Sequence, residues 1–389
     1  MKLGKKILLM LGLIFLTTIV AAGVYVTDAL NFSNSALSKT FKEYGDGETS
    51  TALQNTKPFS ILLMGVDTGD SQRTDTWSGN SDSMILVTVN PETKTTTMTS
   101  LERDILVNIT NDGETYEAKL NAAYAAGGAE LAISTIEGVL DINIDYYMQI
   151  NMQGLVDLVN AVGGITVTNS FDFPISISEN EPEYTATVEP GTHLINGEQA
   201  LVFARMRYDD PEGDYGRQKR QREVIQKVMA KLLNLNSVAS YKKILEAVSA
   251  NMQTNVALST STIPQLLGYS SSLKNITEYQ LKGEDATLNG GSYQIATTDN
   301  LLEIQNNIKK QLGLTESTAD TLKTTAVLYE DVYGSYSSDD TSSYDSTYSN
   351  GYDTTGGYTD SGTVTYDNQA GSATYGDTSD ATAGYNQGY

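Results

Sequence analysis

Six basic residues crowd into residues 204–222 of a chain whose formal net charge is −23. They are Arg205, Arg207, Arg217, Lys219, Arg220 and Arg222, with Asp209, Asp210, Glu212 and Asp214 set among them. A guanidinium offers planar paired donors that match phosphate oxygens, and it keeps its charge at any working pH. The cluster reads as a site for a small, highly anionic group, against the alternative of a solvated helix face laced with ion pairs. A second group lies far upstream: Asp67, Asp82 and the adjacent Arg103 and Asp104. Two carboxylates with no histidine nearby suit Mg²⁺, which takes one or two carboxylates and completes its sphere with water and phosphate oxygens.

These residues need elements to hold them. The apolar run 60–64 (SILLM) reads as a buried strand that Gly65, Val66 and Asp67 turn out of. Strands are expected at 84–89 and 95–100, joined through Asn90-Pro91-Glu92 tightly enough for an antiparallel pair. Asp67 then ends the first strand, Asp82 just precedes the second, and Arg103 just follows the third. Ligands of open α/β sheets sit beyond strand ends at a topological switch point, where Asp67 and Asp82 meet if their strands are neighbours.

Helical spacing marks 121–126 and 129–140, then a strand at 146–150, a helix at 152–162 and, after Gly163-Gly164, a strand at 165–167. Residues 171–190 look like an excursion or lid loop, and Asn196 caps a helix over 197–205. A Gly213–Gly216 loop leads to a long helix at 217–235, with further helices at 241–250, 263–272 and 299–312 and closing strands at 279–282 and 293–296. The fold class is α/β, an α-β-α sandwich around a mixed central sheet.

On the long helix Arg217, Gln221, Val224 and Val228 fall on one stripe, so Arg217 and Gln221 point where the apolar face points and line a pocket. Arg205 and Arg207, two apart at a helix end, splay to clamp opposite sides of one anion. Lys219, Arg220 and Arg222 read as the solvated back of the same segment.

The remaining composition narrows the chemistry. Cysteine is absent from the 389 residues, and His193 is the one histidine. Thiolate nucleophiles and cysteine metal sites are thereby excluded, and a Ser-His-Asp triad is a poor match. A pI near 4.3 argues against nucleic acid as a partner. Lys2, Lys5 and Lys6 in a six-residue cytoplasmic N-terminus precede an uninterrupted apolar run, residues 7–26, long enough to span a bilayer. It reads as an uncleaved single-pass signal anchor that places the rest of the chain outside the cell membrane, with a cleaved signal peptide as the rival. Residues 27–57 form a juxtamembrane linker and 58–315 the folded domain. Residues 334–389, rich in Tyr, Ser, Thr, Gly and Asp with no Lys or Arg, read as a disordered spacer or sticker segment.

The blocks ILLMGVDT, NSDSMILVTVNP, SLERD, KLNAAYAAGG, INMQGLVDLVNAVGGITV, INGEQALVFARMR and GDYGRQKRQ, in this order, closely resemble the LytR-CpsA-Psr family and its LytR-like members. The resemblance runs from about Phe59 to about Leu312. It implies a membrane-anchored phosphotransferase that moves a glycopolymer, teichoic acid or capsule, from a polyprenyl pyrophosphate onto peptidoglycan through a phosphodiester. Carried over, Asp67 and Asp82 hold Mg²⁺, and Arg103, Arg205, Arg207 and Arg217 bind the phosphates with help from Gln221. Asp214 is the candidate for positioning or deprotonating the attacking hydroxyl. The apolar stripe beside Arg217 and Gln221 lines a pocket for the polyprenyl chain. The sequence departs from the family at Asn80-Ser81-Asp82, where an arginine is common in place of Asn80; Arg73, with Asp75 close by, is the candidate substitute. A hydrolase, a transcriptional attenuator and a non-catalytic wall scaffold are the competing readings.

Overall fold

The computed structural model describes residues 40–44, 52–53, 56–69, 77–234, 238–256 and 268–334. The expected anchor (7–26), Arg73, Asp75 and the tail beyond Gly334 lie outside these residues, as do residues 263–267 of the helix expected at 263–272, whose described remainder is a turn leading into a 3-10 turn at Ser272–Lys274. No helix among the described residues is long and apolar enough to cross a membrane.

In chain order come strands β1 (Phe59–Val66), β2 (Ser81–Asn90) and β3 (Thr95–Leu101), then the hairpin β4 (Leu106–Asn111) and β5 (Glu114–Lys119). Helix α1 (Ala122–Leu140), β6 (Tyr146–Asn151), α2 (Met152–Ala161) and β7 (Ile165–Asn169) follow. Next are β8 (Gly191–Ile195), α3 (Gly197–Arg205), α4 (Gly213–Leu233), α5 (Val238–Val248) and β9 (Met252–Thr254). The chain closes with β10 (Ile276–Leu281), β11 (Glu284–Leu288), β12 (Gly291–Ile295), α6 (Thr298–Leu312) and α7 (Tyr329–Tyr333).

Six strands make the central sheet, in the order β10-β3-β2-β1-β6-β9. The β1–β2, β2–β3 and β6–β9 pairs are antiparallel, while β1–β6 and β3–β10 are parallel. The sheet is therefore mixed, as the strand and helix alternation predicts. The tight β2–β3 turn is set by Asn90, whose side-chain oxygen accepts from the N–H groups of Glu92 (2.9 Å) and Thr93 (3.1 Å).

Alternation along the strands sends side chains to two cores. Leu62, Met64, Val66, Met84 and Leu86 pack with Ile133, Ile136 and Leu140 of α1 and Leu301, Ile304 and Ile308 of α6. Phe59, Ile85, Val87, Val89 and Met98 face the other way, toward Tyr269 and Ile225 of α4. Burying each such side chain contributes about 1.5–3 kcal/mol. Helices thus cover both faces. A further core joins the β7–β8 hairpin to α2, α3 and α4, and there Val224 and Val228 of the apolar stripe pack against Phe203 and Ile195.

Two differences from the sequence reading matter for the site. Helix α4 begins at Gly213, so the expected Gly213–Gly216 loop is its first turn. Gly216 is there for contact, since a Cβ on it would collide with the Asp210 carboxylate. The hairpins β4–β5 and β11–β12 fold where the sequence suggested loop or one closing strand. Helix α1 is broken as expected: Gly127 and Gly128 leave helical geometry, Gly128 with φ +64°.

Candidate active site

The strand ends meet where the sequence placed them. Asp67 follows β1, and its N–H donates to the Asn80 carbonyl at 3.0 Å. Gly65 pairs with Ser83 but Val66 with Ser81, a register shift that leaves Asp82 with no directly opposite β1 partner. A bulge of this kind bends the strand and re-aims a side chain, and such irregularities concentrate beside active sites.

Asp82 is held on three sides. Its Oδ2 lies 2.9 Å from Arg103 Nη1, and its Oδ1 accepts from Asn121 Nδ2 at 3.2 Å. Its backbone carbonyl accepts from Arg217 Nη2, also at 3.2 Å. Burial alone would raise the Asp82 carboxyl, but Arg103 and Arg217 outweigh it and hold the group below the usual carboxylate range. Burial would likewise lower Arg103, yet Asp82, Asp214 and Asp104 together raise it.

Arg217 comes from the first turns of α4 and is 6% exposed. Its Nη2 forms an ion pair with Asp214 Oδ1 at 2.7 Å, one helical turn earlier. Burial pushes this guanidinium down, Asp214 resists, and the neighbouring charge of Arg103 adds to the downward push. The Nε atoms of Arg103 and Arg217 and the Oε1 of Gln221 are all buried without a hydrogen-bond partner. Native proteins leave few such atoms unsatisfied, so three on neighbouring candidate residues call for an explanation.

Arg205 ends α3, whose start is fixed by reciprocal bonds between Asn196 and Gln199. Its Nη2 lies 2.6 Å from Glu181 Oε2 and 3.6 Å from Asp67 Oδ1. The guanidinium also sits over the Tyr184 ring, 5.1 Å from its centre. The excursion at 171–190 thus reaches the site through Glu181 and Tyr184. Arg207 stacks on Tyr208 at 4.6 Å, donates to its hydroxyl at 2.7 Å, and makes no ion pair among the described residues.

Similarity to known proteins bears on this geometry. The model of the LytR_cpsA_psr family matches residues 25–310. The chain belongs to the LytR-CpsA-Psr family. Within it, biofilm regulatory protein A of Streptococcus mutans is 68% identical over 350 residues, covering 89% of this chain and 85% of that protein. The polyisoprenyl-teichoic acid–peptidoglycan teichoic acid transferase TagU of Enterococcus faecalis is 42% identical over 316 residues, 80% of this chain and 99% of that one. A crystal structure from Streptococcus agalactiae superposes with a TM-score of 0.70 at 70% identity, covering 73% of this chain and 97% of that one.

The basic segment of this LytR-CpsA-Psr protein divides differently from the expectation. Only Lys219 is a solvated residue, paired with Glu212 at the surface. Arg220 is buried: its Nε donates to the Phe203 carbonyl at 2.8 Å, and its other nitrogens bond the Met206 carbonyl and the Asp210 carboxylate. It thereby closes the C-terminus of α3, whose last carbonyls have no helical partner. Arg222 is also buried, bonding Glu278 Oε2 and Ser100 Oγ, each at 2.6 Å. Both are structural: all three nitrogens of Arg220 end on protein acceptors, and Arg222 ties α4 to β3 and β10 through Nη1 and Nε.

Sequence reasoning passed over Asn121, Glu181, Tyr184, Gln218 and Glu102. The last stands beside Arg103 in the SLERD block, yet its side chain is 2% exposed and turns inward. Among the described residues no group of three or more His, Cys, Asp or Glu side chains is arranged to hold a metal ion. Asp67 and Asp82 are the carboxylates at the ends of β1 and β2 that face Arg205 and Arg103.

Proposed function

We propose that this chain is an extracellular, membrane-anchored phosphotransferase of the LytR-CpsA-Psr family. It moves a glycopolymer of the teichoic acid or capsule class from a polyprenyl pyrophosphate onto a peptidoglycan hydroxyl. The observation that carries the reading is the buried Arg217 Nε–H without a hydrogen-bond partner and the buried Arg103 Nε–H, which makes no hydrogen bond and only a long 3.6 Å contact to Asp104 Oδ2, both beside ionised Asp82. Phosphoryl transfer asks a protein mainly for positioning and neutralisation of spread negative charge, and preorganised donors in a shielded site supply both. The similarity to the Enterococcus TagU, named as a teichoic acid transferase, supports the same reading.

In this account Arg103 and Arg217 bind the pyrophosphate through their Nε–H groups, Arg103 exchanging its 3.6 Å contact with Asp104 for phosphate oxygen. Arg205 and Arg207 approach from the end of α3, the first exchanging its Glu181 and Asp67 contacts for phosphate oxygen. The acceptor oxygen attacks the phosphorus that carries the glycopolymer, and the P–O bond to the polyprenyl phosphate breaks. The polyprenyl phosphate departs with the bridging oxygen, and the hydroxyl proton passes to Asp214. The Arg217 ion pair fixes one oxygen of that carboxylate, and Gln218 Nε2 donates to the other at 2.9 Å.

The residues fit Mg²⁺. Asp82 is kept ionised by its arginines, Asp67 stands at the adjoining strand end, and two carboxylates are what this ion takes when phosphate and water complete its sphere. When bound there it would draw charge from the phosphate oxygens.

The test is turnover of a purified polyprenyl-pyrophosphate glycopolymer by the full chain, with and without peptidoglycan. The reading predicts release of polyprenyl phosphate together with glycopolymer bound to the acceptor. Equal release without acceptor would make the enzyme a hydrolase, and no release under either condition would defeat the assignment.

A further inference from the structure

Behind the candidate base the polar contacts continue through Gln218 to Glu102, a buried carboxyl that the reaction as described does not use. Glu102 sits between the end of β3 and Arg103, and its Oε2 accepts from Gln218 Nε2 at 2.5 Å. The same amide nitrogen donates to Asp214 Oδ2 at 2.9 Å. Gln218 is 4% exposed, and its carbonyl oxygen accepts from Gln280 Nε2 of β10 at 2.9 Å. One amide thus uses both hydrogens on two carboxylates while its oxygen is pinned to the sheet. That arrangement fixes the amide's orientation, because a flipped Gln218 would set its oxygen against Glu102 and Asp214.

We infer that Glu102 is a positioning residue for the transfer: through Gln218 it holds the Asp214 carboxylate in the orientation that receives the acceptor proton. This rests on the reading of Asp214 as the base. Burying two carboxylates around one amide is costly unless one of them holds its proton near neutrality. Burial first, then the charge of Asp214, raise the Glu102 carboxyl to about 7. The groups facing it are Arg103 and Asp104 from the end of β3, Asp214, Tyr215 and Arg217 from α4, and the neutral amides Gln218 and Gln280. Ionised Glu102 is the stronger acceptor and draws the amide into place. Protonated Glu102 holds it weakly, so the device engages as the pH rises past neutrality.

The experiment is the pH dependence of kcat for the full chain on a polyprenyl-pyrophosphate glycopolymer, compared between wild type and Glu102→Gln. In wild type kcat rises through an inflection near 7. In Glu102→Gln the inflection disappears and kcat stays about tenfold lower above it, with KM for the donor unchanged. Gln218→Met, which cuts the link while leaving Glu102 in place, lowers kcat by a similar factor and keeps the family readout usable should Glu102→Gln fold poorly. An unchanged inflection in Glu102→Gln, or full kcat in Gln218→Met, overturns the inference. Asp214→Asn separates the two levels. If it retains turnover, the base assignment fails and this inference with it; if it loses turnover while Glu102→Gln keeps the inflection, only the role of Glu102 is wrong.

Discussion

Arg217 and Arg220 lie one turn apart on α4 and are almost equally buried, at 6% and 7% exposure. Around Arg220 the neighbouring acceptors are the Phe203 and Met206 carbonyls and Asp210, all provided by the protein itself. Around Arg217 are Asp214 and the Asp82 carbonyl, and its Nε is left without a partner. Burial, charge and helical position do not separate these two arginines. The accounting of their hydrogen bonds does. A buried guanidinium whose donors all end on fixed acceptors ties elements together, whereas one with a donor left over is prepared for an anion that arrives later.

The largest effects should fall on opposite properties. Arg217→Ala should lower kcat by about 10²–10³-fold, the usual consequence of losing a donor to a developing charge. Its unfolding midpoint should stay near that of wild type in denaturant titration. Arg220→Met should do the reverse, costing about 3–5 kcal/mol of stability because Asp210 is left buried and unpaired. Its activity per folded molecule should be retained. If Arg220→Met abolished catalysis in folded protein, the division between the two residues would collapse.

A middle-sized effect concerns pH. The Glu102 carboxyl is raised by burial and by Asp214 from its ordinary 4.5 to about 7. The folded state therefore holds a proton that the unfolded chain has released between those values, and the stabilisation present below 4.5 is lost as the pH rises through 7. Glu102→Gln has no such proton to lose. Its Tm relative to wild type should climb between pH 4.5 and 7 and level off above; a constant difference across that window would speak against the buried carboxyl. The smallest effect belongs to Lys219→Ala. This half-exposed pair with Glu212 should be worth less than about 1 kcal/mol and should change neither kcat nor KM measurably.

The contrast also marks how far sequence reasoning reaches. Apolar runs disclosed β1 and β2, the Asn90-Pro91-Glu92 turn before a threonine-rich stretch disclosed β3, and the Asn196 cap disclosed α3, because burial, turns and capping are written in residue type and period. The hairpin β4–β5 escaped since β5 (ETYEAK) is mostly exposed and shows no apolar alternation. Its legible signal was the turn: Asp112 and Gly113 both take positive φ, +50° and +84°, as Asn289 and Gly290 do between β11 and β12. At the site, residue type disclosed the arginines, the aspartates and Gln221. It did not disclose which arginine finds a partner, since the acceptors of Arg220 and Arg222 come from α3, the loop after it, β3 and β10. Glu102 was hidden for a similar reason: its role depends on Gln218, which lies 116 positions away in sequence.

The most direct test of the central claim watches the unpartnered donors themselves. The ¹⁵N-labelled full chain is titrated with geranyl pyrophosphate and Mg²⁺ while the arginine Nε–H resonances are followed, assigned by single Arg→Lys variants. The account predicts that the Arg103 and Arg217 Nε–H signals shift downfield in step with binding while those of Arg220 and Arg222 stay fixed. Binding that leaves Arg103 and Arg217 unmoved, or that moves Arg220 by as much, would contradict it.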